Sequence, residues 1–276
     1  MPTTLGVIAG GGTFPHTVAQ TAHARGFRVV GVGFPSDTRP DFPSQCDAFS
    51  WLKLGQLGRL IDFFRSQHVT QVVMAGPINK PRALDLRPDW RAARILFSLA
   101  AKGDDAVLRA ATAELEREGM TVVGAHEFTP DLTAPAGILT HRAPSSREQE
   151  DIRLGWTLAS ALGSFDIGQC LVIKDGIVLA VEAIEGTDAA IARGGQLGGA
   201  GSVVIKRSKP GQDSRLDLPA VGLNTLRGMV AVGASCLAIE AGRCLFFDRA
   251  ETLDFANTHD IAIVGHMDDG GTITGP

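Results

Sequence analysis

Short apolar runs alternate with longer stretches of helical spacing through the first half of the chain. LGVIAG, FRVVGVGF, VTQVVMAGPI and TVVGAHEF read as strands, while FPHTVAQTAHARG, LGQLGRLIDFFRSQ, DWRAARILFSLAA and DDAVLRAATAELEREG place apolar residues at helical intervals. Strands separated by helices predict a parallel sheet with helices on both faces. The pattern stops at TPDLTAPAGILTHRAPSS, which holds three prolines and no clear period, and a domain boundary is expected there. Beyond it, REQEDIRLGWTLASALGS predicts a helix, and GQCLVIKDGIVLAVEAIE a β-hairpin turning at Asp175-Gly176. SVVIKRS, CLAIEAG, CLFFD and DIAIVGH follow as strands, with helices at LNTLRGMVAVGA and near AETLDFANTH. The expected fold is therefore α/β: a Rossmann-like N-terminal domain over residues 1–130, a linker over 131–146, and a second α/β domain containing the hairpin over 147–276.

Composition narrows the function classes. The 276 residues carry a formal net charge of −4, and no basic stripe stands out for a nucleic-acid partner. Gly 33 is high and aromatic content is low at 6%, which suits a glycine-turned α/β protein better than an aromatic-rich binding module. Cys46, Cys170, Cys236 and Cys244 lie far apart with no C-x-x-C pair, so buried thiols are expected and a thiolate zinc site is not. No basic leader precedes the first strand, and no apolar run reaches the roughly 20 residues that span a bilayer. A soluble, cytoplasmic protein is the expectation.

The candidate chemistry gathers at strand ends. Gly10, Gly11 and Gly12 separate the first strand from the first helix, where phosphate-binding loops sit. Gly10 and Gly12 match a G-x-G-x-x-G pattern, but Pro15 replaces its third glycine, and no acid ends FRVVGVGF; a dinucleotide site is disfavoured, and the triplet reads as a phosphate or sugar approach or as a tight turn. In LAVEAIEGTDAAIARGG, Glu182 interrupts an apolar strand face, and Glu185 and Asp188 flank a turn where Thr187 or Asp188 could cap a helix. A cap absorbs one acid, not three, and convergent carboxylates are what Mg²⁺ requires. VVIKRSKPGQDSRLDLPAVG places Lys206, Arg207, Lys209 and Arg215 around Asp213 and Asp217, with Lys-Pro and then Arg-x-Asp-x-Pro in a loop after the strand, either as phosphate clamps with a water-activating acid or as surface ion pairs. Lys102 stands beside Asp104 and Asp105, which suit a helix start, and His126 and Glu127 close TVVGAHEF at the strand end. GGQLGGAG, Gly194 to Gly201, is expected to be a mobile loop, a possible lid over the acidic turn.

Taken in order, LGVIAGGGTFP, AGPINKP, KGDDAVLR, EREGMTVVGAHE, DIGQCLVIKDGIVLAVEAIEGTDAAIAR, KPGQDSRLDLPAVGLNTL and AIEAGRCLFFDR resemble the LpxI-type UDP-2,3-diacylglucosamine pyrophosphatases of lipid A biosynthesis over nearly the whole chain. The resemblance implies two α/β domains, the C-terminal one catalytic, a lipid-linked UDP-sugar substrate and often a homodimer. It implies hydrolysis to UMP and 2,3-diacylglucosamine 1-phosphate, assisted by Mg²⁺. Peripheral contact at the inner membrane, with no transmembrane segment, is a separate expectation. Asp217 falls where the family's catalytic aspartate lies; Glu185, Thr187, Asp188 and Gly10 to Gly12 fall near the ligand. On this reading Asp217, Asp188 and Glu185 are the expected metal ligands, and Lys209, Arg215 or Lys102 meets the remaining phosphate charge. Lys80-Pro81 departs from an expected Arg-Pro, and Phe14 replaces a small aliphatic residue before Pro15. The rivals are a non-catalytic sugar-nucleotide or lipid-binding protein of the same fold and, on the glycine triplet alone, an NAD-linked oxidoreductase.

Overall fold

A computed structural model of the chain describes residues 3–78, 88–98 and 104–267. They fall into two units: Met1–Pro130 together with Asp213–Asp217, and Asp131–Gln212 together with Leu218–Pro276. The return of residues 213–217 to the first unit is announced by no composition shift in the sequence.

The first unit runs β1 (Thr4–Ala9), α1 (Phe14–Ala24), β2 (Arg28–Gly33), β3 (Ala48–Trp51), α2 (Leu57–Ser66), β4 (Gln71–Ala75), α3 (Trp90–Ser98), α4 (Asp104–Arg117), β5 (Thr121–Val122) and α5 (Ala125–Phe128). The strands form a parallel sheet in the order β3-β2-β1-β4-β5. Alternation along each strand sorts side chains to opposite faces. Leu5, Val7, Ala9, Val29, Val73 and Ala75 pack with Val18, Ala19 and Ala22 of α1 and with Phe128. Ile8, Val30, Val32 and Val72 pack with Leu60, Ile61 and Phe64 of α2 and with Leu115 of α4. Helices thus cover both faces, as the sequence pattern predicts.

Two details of this unit differ from that pattern. β3 carries AFSW, four residues without a continuous apolar run, and its position at the sheet edge leaves Trp51 exposed. TVVGAHEF is not one strand. Glu127 Oε1 accepts the Gly124 N–H at 2.9 Å, a capping interaction that turns Ala125–Phe128 into a helical turn two residues after β5.

The second unit runs β6 (Gly137–Ile138), α6 (Ser146–Ser164), β7 (Cys170–Lys174), β8 (Ile177–Val181), α7 (Thr187–Gly198), β9 (Val203–Lys206), β10 (Ala220–Val221), α8 (Leu223–Ala231), β11 (Cys236–Glu240), β12 (Leu245–Phe246), α9 (Arg249–Thr258) and β13 (Ala262–His266). Its main sheet has the order β6-β13-β11-β9-β7-β8. β9, β11 and β13 are mutually parallel, and the β7–β8 hairpin and β6 join antiparallel. β10 and β12 pair separately. Ile152 and Trp156 of α6 cover one face, while Ile191 of α7, Leu226 and Met229 of α8 and Ala256 of α9 cover the other. The hairpin turns where expected: Asp175 and Gly176 take φ of 50° and 77°, as a two-residue turn with both centres left-handed requires. The buried Asp151 carboxylate of α6 accepts both turn N–H groups, at 2.9 and 2.7 Å. Cys170, Cys236 and Cys244 are buried free thiols, raised to about 12 for Cys170 and Cys244 by burial.

Most of the glycine run expected to form a mobile loop, Gly194 to Gly198, is instead the end of α7, and Gly199 to Gly201 follow the helix. Its missing side chains let the helix lie close to its neighbours. A Cβ on Gly194 would sit 2.6 Å from Val172, one on Gly195 2.2 Å from Val232, and one on Gly198 2.2 Å from Leu179. Gly195→Ala is expected to lower stability by about 1–3 kcal/mol through overpacking against Val232. A thermal melt reads this directly, and a midpoint unchanged from wild type would contradict the close packing of α7.

Candidate functional site

In each unit the candidate site residues lie at one edge of the sheet. In the first unit this is the carboxyl edge, beside the point where the strand order reverses between β1 and β4, the usual ligand crevice of such sheets. Gly10 donates its N–H to Ala75 O at 2.8 Å, and Gly11 to Pro77 O at 2.7 Å. A Cβ on Gly10 would lie 2.3 Å from the Gly76 carbonyl, so only glycine permits this approach. Gly12 takes φ of 77° and has open space around it. Thr38 fastens the loop after β2 over the turn, donating its hydroxyl to Ala9 O at 2.5 Å and accepting the Phe34 N–H at 2.8 Å. α1 begins at Phe14, with Pro15 in its first turn and no side-chain hydrogen bond from its cap residue, Thr13.

The same edge receives Asp213–Asp217. Arg215 donates to both oxygens of Asp213 (Nε at 3.0 and 3.2 Å, Nη2 at 2.7 Å), to Glu116 of α4 at 2.9 Å and to the carbonyl of Val122, the last residue of β5, at 3.4 Å. Leu216 is buried in the cluster of Ile8, Val72 and Val122. The Asp213 carbonyl accepts the N–H of Leu216 at 2.9 Å and of Asp217 at 3.4 Å, closing a turn that leaves Asp217 exposed. The Arg215 hydrogen bond holds the Asp213 carboxyl below its ordinary range, and the two carboxylates raise the Arg215 guanidinium. Arg215, expected as a phosphate clamp, is therefore engaged by protein carboxylates. His126 lies over Gly124, where a Cβ would meet its ring at 2.3 Å, and the Glu127 side chain serves the α5 cap. Lys102, Lys80 and Pro81 lie outside the described residues, as do the carboxylates of Asp104 and Asp105.

In the second unit the acidic turn follows β8. Glu182 is half-buried and accepts the Gln169 N–H at 3.2 Å and the Thr187 hydroxyl at 3.0 Å. Thr187 in turn accepts from the buried Lys206 ammonium at 3.0 Å. This relay explains an acid at the end of a core strand, because the carboxylate is hydrogen-bonded and faces a cation through one hydroxyl. Glu185 accepts the Ala183 N–H at 3.1 Å and the Arg193 guanidinium at 2.6 Å; its own backbone N–H first, then Arg193 and Ala183, hold its carboxyl low. Neither Thr187 nor Asp188 caps α7: Gly186 holds that position at φ of 84°, and the exposed Asp188 lies in the first turn. Each acid of the turn thus has its own setting, and among the described residues no group of three or more His, Cys, Asp or Glu is placed to hold a metal ion.

Lys206 and Arg207, at the end of the strand predicted over SVVIKRS, are buried where β9 ends. β11 beside it ends in Glu240, and β13, the next strand over, in His266, neither of them among the expected site residues. Glu240 accepts the Ser208 N–H at 2.7 Å. Trp156 stacks on His266 at 4.4 Å, with the Arg207 guanidinium 4.9 Å from the Trp156 ring. The signal was present in CLAIE and IAIVGH, each an apolar run closed by a titratable residue, the same signature that marked Glu182. Lys209 donates to Asp166 at 2.5 Å.

Comparison with known proteins agrees with this division. The LpxI N-terminal domain family matches residues 4–132 and the LpxI C-terminal domain family residues 135–264. The UDP-2,3-diacylglucosamine pyrophosphatase LpxI of Caulobacter vibrioides is 35% identical over 274 residues, covering 95% of this chain and 96% of that protein. Among solved structures, the biotin carboxylase domain of a single-chain bacterial carboxylase is 13% identical with a TM-score of 0.27, over 61% of this chain and 35% of that one. The ADP complex of N5-carboxyaminoimidazole ribonucleotide synthetase is 14% identical with a TM-score of 0.29, over 69% of this chain and 43% of that one. The chain spans under half of either structure, and likeness at that level carries no argument. Matched in both halves and aligned almost end to end with a curated relative, the chain belongs to the LpxI family.

Proposed function

We propose that the protein hydrolyses the pyrophosphate of UDP-2,3-diacylglucosamine, giving UMP and 2,3-diacylglucosamine 1-phosphate, a step of lipid A biosynthesis. Family membership supports the substrate class. The observation that carries the reading is the return of residues 213–217 to the first unit, which sets an exposed Asp217 at the same sheet edge as Gly10 to Gly12.

Pyrophosphate cleavage depends on placing the attacking water and neutralising charge that spreads over the phosphoryl oxygens. Asp217 would orient a water and take its proton. The glycine turn lets backbone come close to a phosphate, and the start of α1 offers N–H groups and a positive dipole end. Magnesium belongs to this proposal as the partner of the substrate's own pyrophosphate, since such an ion keeps several waters and uses one or two carboxylates with substrate oxygens instead of a preformed cage. Bound there it would neutralise phosphoryl charge. Within the first unit the exposed Asp217 is the carboxylate suited to it; of the acids expected in the second unit, Glu185 is already held by Arg193.

No helix among the described residues is long and apolar enough to cross a membrane. A substrate with acyl chains still requires contact with lipid. Phe165 and Ile184, 77% and 88% exposed, give the second unit apolar side chains for peripheral contact at the inner membrane. Self-association as a homodimer belongs to the same proposal.

The test is turnover of UDP-2,3-diacylglucosamine by purified protein, with and without EDTA. UMP release that EDTA abolishes and added Mg²⁺ restores is the expected result. Undiminished release in EDTA would remove magnesium from the account.

A further inference from the structure

Arg215, Glu116 and Leu216 do more than fill a surface. The chain leaves the second unit after Gln212, contributes five residues to the first, and goes back at Leu218. On the second-unit side, Gln212 is fixed through its side-chain oxygen by the Lys209 N–H at 3.0 Å and through its carbonyl by Arg243 at 3.4 Å. On the first-unit side, Arg215 is the polar anchor. Its fork is shared between Asp213 within the turn and Glu116 on α4, with a further hydrogen bond to the end of β5. Leu216 is the apolar anchor beside it. Asp217 follows immediately, its N–H bonded to the Asp213 carbonyl whose side chain Arg215 grips.

We propose that Arg215 and Glu116 are positioning residues that lock the 213–217 turn to the first unit and so set where the Asp217 carboxylate stands. This rests on the hydrolase reading above. The arginine of the R-x-D-x-P segment then acts on the aspartate two residues later through Glu116, not on a phosphate. A planar guanidinium with fixed N–H directions suits such a strut, because it fixes orientation as well as distance. Glu116 and Arg215 are both part-exposed, so their loss shifts the turn without opening a core.

The experiment combines steady-state kinetics on UDP-2,3-diacylglucosamine with hydrogen exchange of the 213–217 amides by mass spectrometry, on wild type, Glu116→Ala, Arg215→Ala and the double variant. Each single variant is expected to lower kcat about tenfold or more, since small misplacements of a reacting group cost that much, while KM stays within about threefold. The double variant is expected to match the worse single, as residues acting through one contact are not additive. The 213–217 amides should exchange faster in all three. A raised KM with unchanged kcat in Arg215→Ala would make Arg215 a substrate ligand and overturn the proposal, as would unchanged kcat in Glu116→Ala. If wild type does not hydrolyse the substrate, the functional reading fails on its own, and exchange unchanged in Glu116→Ala still refutes the lock.

Discussion

Asp217→Asn is expected to reduce kcat by about 10²–10⁴-fold, the range lost when a positioned acid–base group is removed. The exchange keeps the shape of the side chain and removes its negative charge and proton-accepting power. The side chain is exposed, the turn is held by the Asp213 carbonyl and by Arg215, and the neighbouring Leu216 supplies the apolar contact. Surface changes of this kind alter stability by under about 0.5 kcal/mol, so the variant should melt with wild type. KM should stay close to wild type, because an interaction made chiefly in the transition state falls on kcat. Turnover within a few-fold of wild type would contradict the role given to Asp217.

The second large effect is on stability. Glu148 sits in the first turn of α6 with 7% of its surface exposed. It takes both Arg142 Nη atoms at 2.8 and 3.0 Å, the Ser235 hydroxyl at 2.6 Å and the Ser145 N–H at 2.7 Å. Arg142 also reaches the Asp260 and Ser235 carbonyls. One carboxylate therefore caps the helix and joins the segment before it to the sheet. Glu148→Ala leaves a partly buried guanidinium without its carboxylate, which costs about 3–5 kcal/mol, a large share of the roughly 5–15 kcal/mol that holds a domain together. A fall in Tm on the order of 10 °C follows for a unit of this size. Burial alone would raise the Glu148 carboxyl, but Arg142, Ser235 and Ser145 outweigh it and hold it at about 2, against an ordinary value of 4.5. A carboxyl that binds its proton less readily when folded stabilises the fold above its unfolded value. That contribution is present above pH 4.5 and is lost as pH falls toward about 2. Wild type should therefore lose stability through this window more steeply than Glu148→Ala, and a variant that melts with wild type at neutral pH would refute the assignment.

The legible parts of the fold are those in which one local rule decides. Strands β1, β2 and β4 are apolar on both faces and bounded by glycine, and the Asp175-Gly176 turn needs two left-handed residues that this pair adopts readily. The misread parts depend on a partner distant in sequence. Gly194, Gly195 and Gly198 look like a loop until Val172, Val232 and Leu179 supply the reason for their small size. TVVGAHEF looks continuous until the Glu127 cap ends the strand. The site divides in the same way. The glycine turn was visible at a strand end, and Asp217 as an acid in a loop that matches the R-x-D-x-P segment of the family. The use of Arg215 depends on Glu116, 99 positions away, and that of Glu182 on Lys206 by way of Thr187. Charge partners of this kind leave no periodic trace in the chain.

The most direct measurement is product analysis after incubating the purified wild-type protein with UDP-2,3-diacylglucosamine and Mg²⁺, by mass spectrometry of both the lipid and the nucleotide. The account predicts equal amounts of UMP and 2,3-diacylglucosamine 1-phosphate, formed catalytically and lost in Asp217→Asn. Intact substrate recovered in complex with the protein, without UMP, would show a binding protein and contradict it.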